Sequence, residues 1–149
     1  MVFAYSAMCG FGWGLIGYAL ARDTGLSPVA WTGLAASPAI GVAIGWLAVR
    51  KQHFATAARV FLSLANLYVA TTLFGLAVGI GDLLLGSTVG GSPPTQWTHA
   101  LMTIVSPTFG FPLLLTVGGY VLVLWPLSYA NHLLIWRLRD DMRAAERFV

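Results

Sequence analysis

The chain has 149 residues, of which 58% are apolar and 9% are charged, and its formal net charge is +3. Soluble domains carry about 25% charged residues, so this composition excludes an ordinary water-soluble globule. Stretches of about 20 uncharged residues have the length that crosses a bilayer as a helix, and the chain contains four of them.

The sequence therefore predicts an all-α integral membrane protein, a bundle of four transmembrane helices. The spans are residues 2–21, 29–49, 60–85 and 100–130. The connections leave no room for a further domain, which usually needs about 50 residues or more. We expect residues 1–130 to form one transmembrane domain and residues 131–149 a cytoplasmic tail.

The basic residues indicate the orientation of the chain. Seven of the eight lie in the second connection or the tail, and one lies on the other side: Arg50, Lys51, Arg59, Arg137, Arg139, Arg143 and Arg147 against Arg22. Basic residues accumulate in short cytoplasmic loops, so both termini should be cytoplasmic. The compact chain and this asymmetry favour a bacterial inner membrane, and the positive charge does not predict nucleic-acid binding.

The first span contains Gly12, Gly14 and Gly17 in the spacing of a dinucleotide-binding turn. That turn joins a strand to a helix and is followed about 20 residues later by an acidic residue. Here the glycines lie inside an uncharged run, and the residue twenty positions after Gly17 is Ser37. We therefore interpret them as helix-packing positions.

Small residues recur at spacings of three and four in the first three spans, which aligns them on one face of each helix and permits close packing in lipid. These positions are Gly10, Gly14, Gly17, Gly33, Ser37, Gly41, Gly45, Gly75 and Gly79. Packing within the chain explains most of them. The alternative is a bundle that also presents a small-residue face to another protein.

The pattern S-P-x-x-G occurs at 37–41 and at 106–110. Broken helices at matching places in two halves of a membrane protein can mark a solute site. The fourth span is longer than one crossing, so its helix is expected to start near Ser106 and Pro107. Residues 97–106 would then span, re-enter or lie on the outer surface.

Asp82 is the one acidic side chain inside the apolar segments. An ionisable residue within a span is costly and suggests a function by default. Asp82 lies near the outer end of its span, where Arg22 is within reach, so we expect a structural ion pair or a solvated carboxylate. A proton or cation site is the alternative.

No cofactor, metal site or catalytic group is predicted in this chain. A haem between helices commonly needs two facing ligands, and only His53 and His132 lie on the same side, since His99 lies on the other. The H-E-x-x-H, G-x-S-x-G and phosphate-loop motifs are absent. We expect no enzymatic activity, while pigment or haem on a partner subunit stays open.

The tail predicts an amphipathic helix. Leu134, Leu138 and Met142 follow helical spacing beside a basic row, and we expect the tail to dock on an anionic membrane surface or on a partner. The docking residues are Trp136, Arg139, Arg143 and Arg147.

These features favour a non-catalytic accessory subunit that packs into a larger membrane complex with other integral membrane subunits and lipids. Photosynthetic and respiratory complexes are assemblies of this kind. The alternative is a small transporter or binder of an apolar or zwitterionic solute.

Overall fold

The structure is a computed structural model that describes residues 2–22, 29–50, 56–85 and 97–146. These residues form five helices and no strand, namely α1 (Val2–Ala21), α2 (Ala30–Arg50), α3 (Thr56–Leu84), α4 (Trp97–Val117) and α5 (Val121–Glu146). The all-α prediction is confirmed. Four of the helices, α1 to α4, are long and apolar enough to cross a membrane.

The last apolar segment differs from the prediction of a single span over 100–130. α4 ends at Val117, and Gly119 then adopts a φ of 71°, a left-handed conformation that glycine takes at no steric cost. α5 begins two residues later and continues to Glu146. The segment is too long for one crossing, and the Gly118–Gly119 pair supplies the turn. The boundary expected between residues 130 and 131 therefore falls inside one helix.

The start of α4 is also different from the prediction. The helix begins at Trp97, not near Ser106, and it contains both Pro107 and Pro112. Residues 97–106 are thus the first part of a continuous helix. Proline is compatible with this path when the surrounding helices hold the segment, because membrane helices tolerate proline better than soluble ones do.

α1 and α2 touch through their backbones. Gly10 lies against Gly41, and a Cβ atom at Gly10 would clash with the backbone oxygen of Ser37. A Cβ atom at Gly41 would clash in the same way with the backbone oxygen of Ser6. Neither obstacle is the end of a flexible side chain, so only glycine fits at this crossing.

The two small-residue stripes pair with each other in antiparallel order around that crossing. On one side the Ser37 side chain lies on Gly14, and on the other the Ser6 side chain lies on Gly45. At the crossing each helix therefore contributes one serine and two glycines that face the opposite set. These six small residues make contacts within the chain.

The remaining predicted small residues also contact neighbouring helices. Gly17 and Gly33 lie on the ring of Phe74, while Gly75 and Gly79 lie on the backbone of α4. Phe74 in turn meets Phe111 edge to face, with ring centroids 5.0 Å apart. α3 is therefore in contact with α2 on one side and α4 on the other.

The helices α1 to α4 pack in chain order, each mainly on the next. α4 packs on α3 and makes no comparable contact with α1 or α2 within the described residues, and α1 barely touches α3. The four helices thus form an open row instead of a closed square bundle. α4 lies at one edge of that row.

α5 crosses the end of this row where α1 and α3 begin. The indole nitrogen of Trp125 lies 3.4 Å from the Val60 carbonyl oxygen, and Trp136 contacts Arg59. The two tryptophans are separated by about 16 Å of helix at 1.5 Å per residue. Since Val60 and Arg59 are neighbours, α5 runs across α3, not along it.

The Gly10–Gly41 crossing predicts that one of two glycine substitutions on α1 lowers stability and that the other does not. Gly10→Ala should lower the free energy of unfolding by about 1–3 kcal/mol, the range for overpacking, because backbone atoms block the new methyl group. Gly12→Ala is the matched control, since nothing lies within 4 Å of a Cβ atom there. Denaturant unfolding in mild detergent, followed by circular dichroism, compares the two. Equal losses in both variants would show that the crossing is not tight.

Candidate functional site

A cluster of buried polar side chains joins α3 to α5. Nδ2 of Asn66 lies 2.7 Å from Nε2 of His132, and Nδ1 of His132 lies 2.7 Å from the backbone oxygen of Ser128. Oγ of Ser128 donates to the backbone oxygen of Ser63 over 3.1 Å. Trp125 adds a bond from its indole nitrogen to Oγ of Ser63 at 3.2 Å. Since these groups are buried and paired, they fix the position of α5.

The hydrogen bonds determine the tautomer of His132. A backbone oxygen only accepts, so Nδ1 carries the proton and donates to Ser128. Nε2 of the neutral ring must then accept from the amide nitrogen of Asn66. This arrangement leaves the amide oxygen of Asn66 as an acceptor with no partner among the described residues.

His132 is neutral for a second reason. Burial lowers the pKa of this histidine below its usual value, and the bond to the Ser128 carbonyl opposes the shift only in part. The ring packs at 5.8 Å from Trp136, whose other neighbour is the guanidinium of Arg59 at 5.2 Å. A second positive charge on His132 would therefore be placed near an existing one.

α5 closes one end of a cleft of about 100 Å³ that is lined by residues of α1, α2, α3 and α4. The cleft follows α1 from Ser6 to Leu20, about 21 Å at 1.5 Å per residue. Most of the wall is apolar, with Ile40, Ile44, Leu67, Phe74, Phe111 and Leu115. The end next to α5 is polar and holds Ser6, Asn66, Ser128, Asn131 and His132.

Ser6 is an unusual member of the cleft wall. It is 1% exposed, and its hydroxyl has no hydrogen-bond partner in the described part of the chain. Its counterpart across the α1–α2 crossing, Ser37, donates to the Leu34 carbonyl at 2.6 Å. A buried hydroxyl without a partner costs about 1–3 kcal/mol, so the Ser6 position is one that a bound polar group would stabilise.

Arg22 and Asp82 do not meet in the structure. Arg22 is exposed at the end of α1, whereas Asp82 is 8% exposed. No hydrogen bond or ion pair joins the two among the described residues, and Oδ1 of Asp82 has no partner there. Asp82 does not line the cleft either. The expected ion pair is therefore not formed in this structure.

Two of the four predicted docking residues of the tail are buried against the rest of the protein. Trp136 and Arg139 are buried, and Nε and Nη2 of Arg139 bind Oδ1 of Asp140 at 2.9 and 2.7 Å. Nη1 of Arg139 is buried with no partner in the described residues. The side chain of Arg143 and the whole of Arg147 lie outside the described residues.

The free side of α4 carries a second concave surface, which we call the outer groove. It is lined by Ser106, Pro107, Gly110, Phe111, Leu113, Leu114 and Val117 and has a volume of about 360 Å³. Ser106 and Gly110 are exposed and four residues apart, and nothing lies within 4 Å of a Cβ atom at Gly110. No described residue covers this small-residue pair.

The two histidines that the structure describes are not brought together as ligands. His99 is exposed on α4, His132 is bound to Asn66, and His53 lies outside the described residues. Among the described residues no group of three or more His, Cys, Asp or Glu side chains could hold a metal ion.

Comparison with known proteins returned no matching protein family, no similar curated protein and no similar solved structure. The geometry of the cleft and the outer groove is therefore what bears on function.

The cleft itself is not among the sequence predictions, and neither are Ser6, Ser128 and Asn131 as site residues. One signal was present, the amide of Asn66 in the middle of an apolar helix. Such a group needs a partner in a membrane, and His132 is the partner. Ser6 gives no such signal, because a serine in a small-residue stripe is ordinary.

The buried His132 predicts that acid weakens the attachment of α5. Its pKa is lower in the folded than in the unfolded chain, so its contribution to stability is complete above the unfolded value of about 6.5 and is lost as the pH falls towards the folded value. The denaturant midpoint should therefore fall between pH 7.5 and pH 5. His132→Gln should reduce that fall, whereas His99→Gln, at an exposed position, should leave it unchanged. A fall of the same size in all three proteins would contradict this role of His132.

Proposed function

We propose that this protein is a non-catalytic accessory subunit that packs into and stabilises a larger membrane complex. The observation that carries the proposal is the uncovered pair Ser106 and Gly110 in the outer groove. In lipid, burial from water does not drive helix association, and a close backbone approach at small residues does. A helix of another integral membrane subunit fits this groove.

The position of α4 supports the same proposal. Within the described ranges α4 packs mainly on α3, and it also carries large exposed apolar side chains. Met102, Phe109 and Leu113 are each more than 60% exposed. Lipid covers such side chains as well as protein does. Ser106 and Gly110 lie between them, and these small residues favour a helix over lipid because they permit a close backbone approach.

The small residues of α1 and α2 do not carry the proposal. Gly10, Gly14, Gly41 and Gly45 are occupied by contacts inside the chain. A second uncovered glycine, Gly12, lies among larger residues on α1 and lines neither the cleft nor the outer groove. α4 is therefore the helix through which we expect assembly to occur.

We further propose that both termini are cytoplasmic in a bacterial inner membrane. Arg59 at the start of α3 contacts Trp136 of α5, and Arg137 and Arg139 follow on the same helix. Basic residues from two separate parts of the sequence are thus close in space, which supports one common side under the positive-inside rule. A photosynthetic or respiratory complex would place pigment or haem on the partner subunit.

The alternative function is a binder or transporter of a solute, and the cleft favours an apolar solute over a zwitterionic one. Its lining holds no Asp, Glu, Lys or Arg within the described residues, so a zwitterion would find no opposite charge. An apolar ligand fits the wall. Binding in the cleft is compatible with a subunit role, because among the described residues Phe111 alone lines both the cleft and the outer groove.

The outer groove predicts that Gly110→Leu releases the chain from its complex. Filling the groove by overpacking costs about 1–3 kcal/mol, which corresponds to a loss of roughly 5- to 150-fold in the association constant, so the assembled fraction should fall. The measurement is the native mass of the complex after gentle extraction from the host membrane, with an absorption spectrum of the same peak.

Gly12→Leu is the matched control, because Gly12 is also an exposed helical glycine without neighbours within 4 Å of a Cβ atom. It should leave the assembled fraction unchanged. A wild-type chain that is extracted as a small colourless particle would overturn the subunit proposal. An assembly that survives Gly110→Leu would reject the outer groove as its contact.

A further inference from the structure

We propose that the cleft is a binding site for a single-chain amphiphile, a molecule with one unbranched alkyl chain and an uncharged hydroxyl or carbonyl head group. The head group lies at the α5 end, and the chain extends between α1, α2 and α3. This inference goes beyond the subunit function and does not depend on it.

The head-group end has hydrogen-bonding groups that the described residues leave without partners. The hydroxyl of Ser6 is buried and unbonded, and the amide oxygen of Asn66 is left free once its nitrogen donates to His132. The amide of Asn131 has one contact, with the Tyr5 hydroxyl at 3.5 Å, which is long for a hydrogen bond. The cleft thus offers donors and an acceptor at one end, as a hydroxyl head group requires.

The rest of the wall favours a hydrocarbon chain. Ser37 and Thr71 also line the cleft, but their hydroxyls are bonded to carbonyls of their own helices. Water in a cavity needs two to four polar partners, so it suits the α5 end and not the remaining length. An alkyl chain needs none.

The shape of the cleft favours a chain over a compact ring. Its lining residues extend along about 21 Å of α1, so the site is elongated. The space of about 100 Å³ is less than the volume of a long alkyl chain, so part of the chain lies along the open side of the cleft. The cleft is also partly open to the surface, so a chain can enter.

The absence of charge selects the head group. No charged side chain of the described residues lines the cleft, and His132 is held neutral by its two hydrogen bonds. A carboxylate or phosphate there would be buried without a counter-ion, which is strongly unfavourable. An uncharged hydroxyl head group, as in a long-chain alcohol, avoids that cost.

Photolabelling with hexadecan-1-ol that carries a diazirine in mid-chain tests the site. The full chain is reconstituted in phosphatidylcholine nanodiscs, irradiated and mapped by mass spectrometry of its peptides. Labelling is expected on cleft residues of α1 and α3, and unlabelled hexadecan-1-ol should compete. Sodium hexadecanoate should compete at least fivefold less well.

Two variants separate binding from general lipid contact. Ala70 lines the cleft and is half-buried, so Ala70→Leu should reduce the labelling of cleft residues about fivefold or more. Ala65→Leu is the control, because Ala65 is on the same helix and equally half-buried but does not line the cleft. Labelling of the exposed face of α4 reports lipid contact and should be the same in both variants.

Ser6→Ala tests the head group without filling the cleft. It should reduce the advantage of hexadecan-1-ol over hexadecane as competitors about fivefold, the effect of one net hydrogen bond. The proposal is overturned if cleft residues are unlabelled in the wild type, if Ala70→Leu and Ala65→Leu behave alike, or if hexadecanoate competes as well as the alcohol. An unchanged alcohol advantage in Ser6→Ala would overturn the assigned head-group position.

Discussion

The backbone contact between Gly10 and Gly41 determines how the rest of the chain can pack. In a membrane two helices gain little from burying apolar surface, so they are held by close contact at positions without side chains. That contact draws α1 onto α2 and away from α3. Phe74 then fills the space at one end of the gap, where it lies on Gly17 and Gly33, and α5 covers the other end. The cleft is the part of the space between these helices that neither Phe74 nor α5 fills.

The second constraint is the need to pair polar groups in an environment that offers few partners. Asn66 lies inside an apolar helix, where an unpaired amide is costly. Its amide nitrogen donates to Nε2 of His132, and Nδ1 of the neutral ring donates in turn to the Ser128 carbonyl. Because the three groups form a chain of bonds with fixed donor and acceptor roles, α5 has one favourable position across the start of α3. Asn66, Ser128 and His132 also line the cleft, so the same residues attach α5 and make one end of the cleft polar.

The sequence predicts four helices that are long and apolar enough to cross a membrane, and the bounds of α1 and α2 agree with the predicted spans. The last predicted span, by contrast, is divided between α4 and α5. The sequence also identifies Gly10 and Gly41 as packing positions, but spacing alone does not say which stripe meets which. The Arg22–Asp82 pair fails for a related reason, since it assumed two helix ends to be adjacent and α1 barely touches α3. The turn at Gly118 and Gly119 is visible in the sequence as paired glycines. The cleft is not visible in the sequence, because it lies where helices do not contact each other, and no residue pattern predicts the absence of a contact.

The two proposed sites are separated by one side chain. Phe111 lines both the cleft and the outer groove, and its ring meets Phe74 edge to face. A partner that displaced this ring would change the affinity of the cleft for its ligand, and by linkage the ligand would change the affinity for the partner by the same factor. A partner that left the ring in place would give no such coupling, because a ligand shifts an equilibrium only through a difference in its interactions with the two states. Substitution of Phe111 disturbs both surfaces together, so residues that belong to one surface alone, such as Ala70 in the cleft and Gly110 in the outer groove, are the ones that separate ligand binding from assembly.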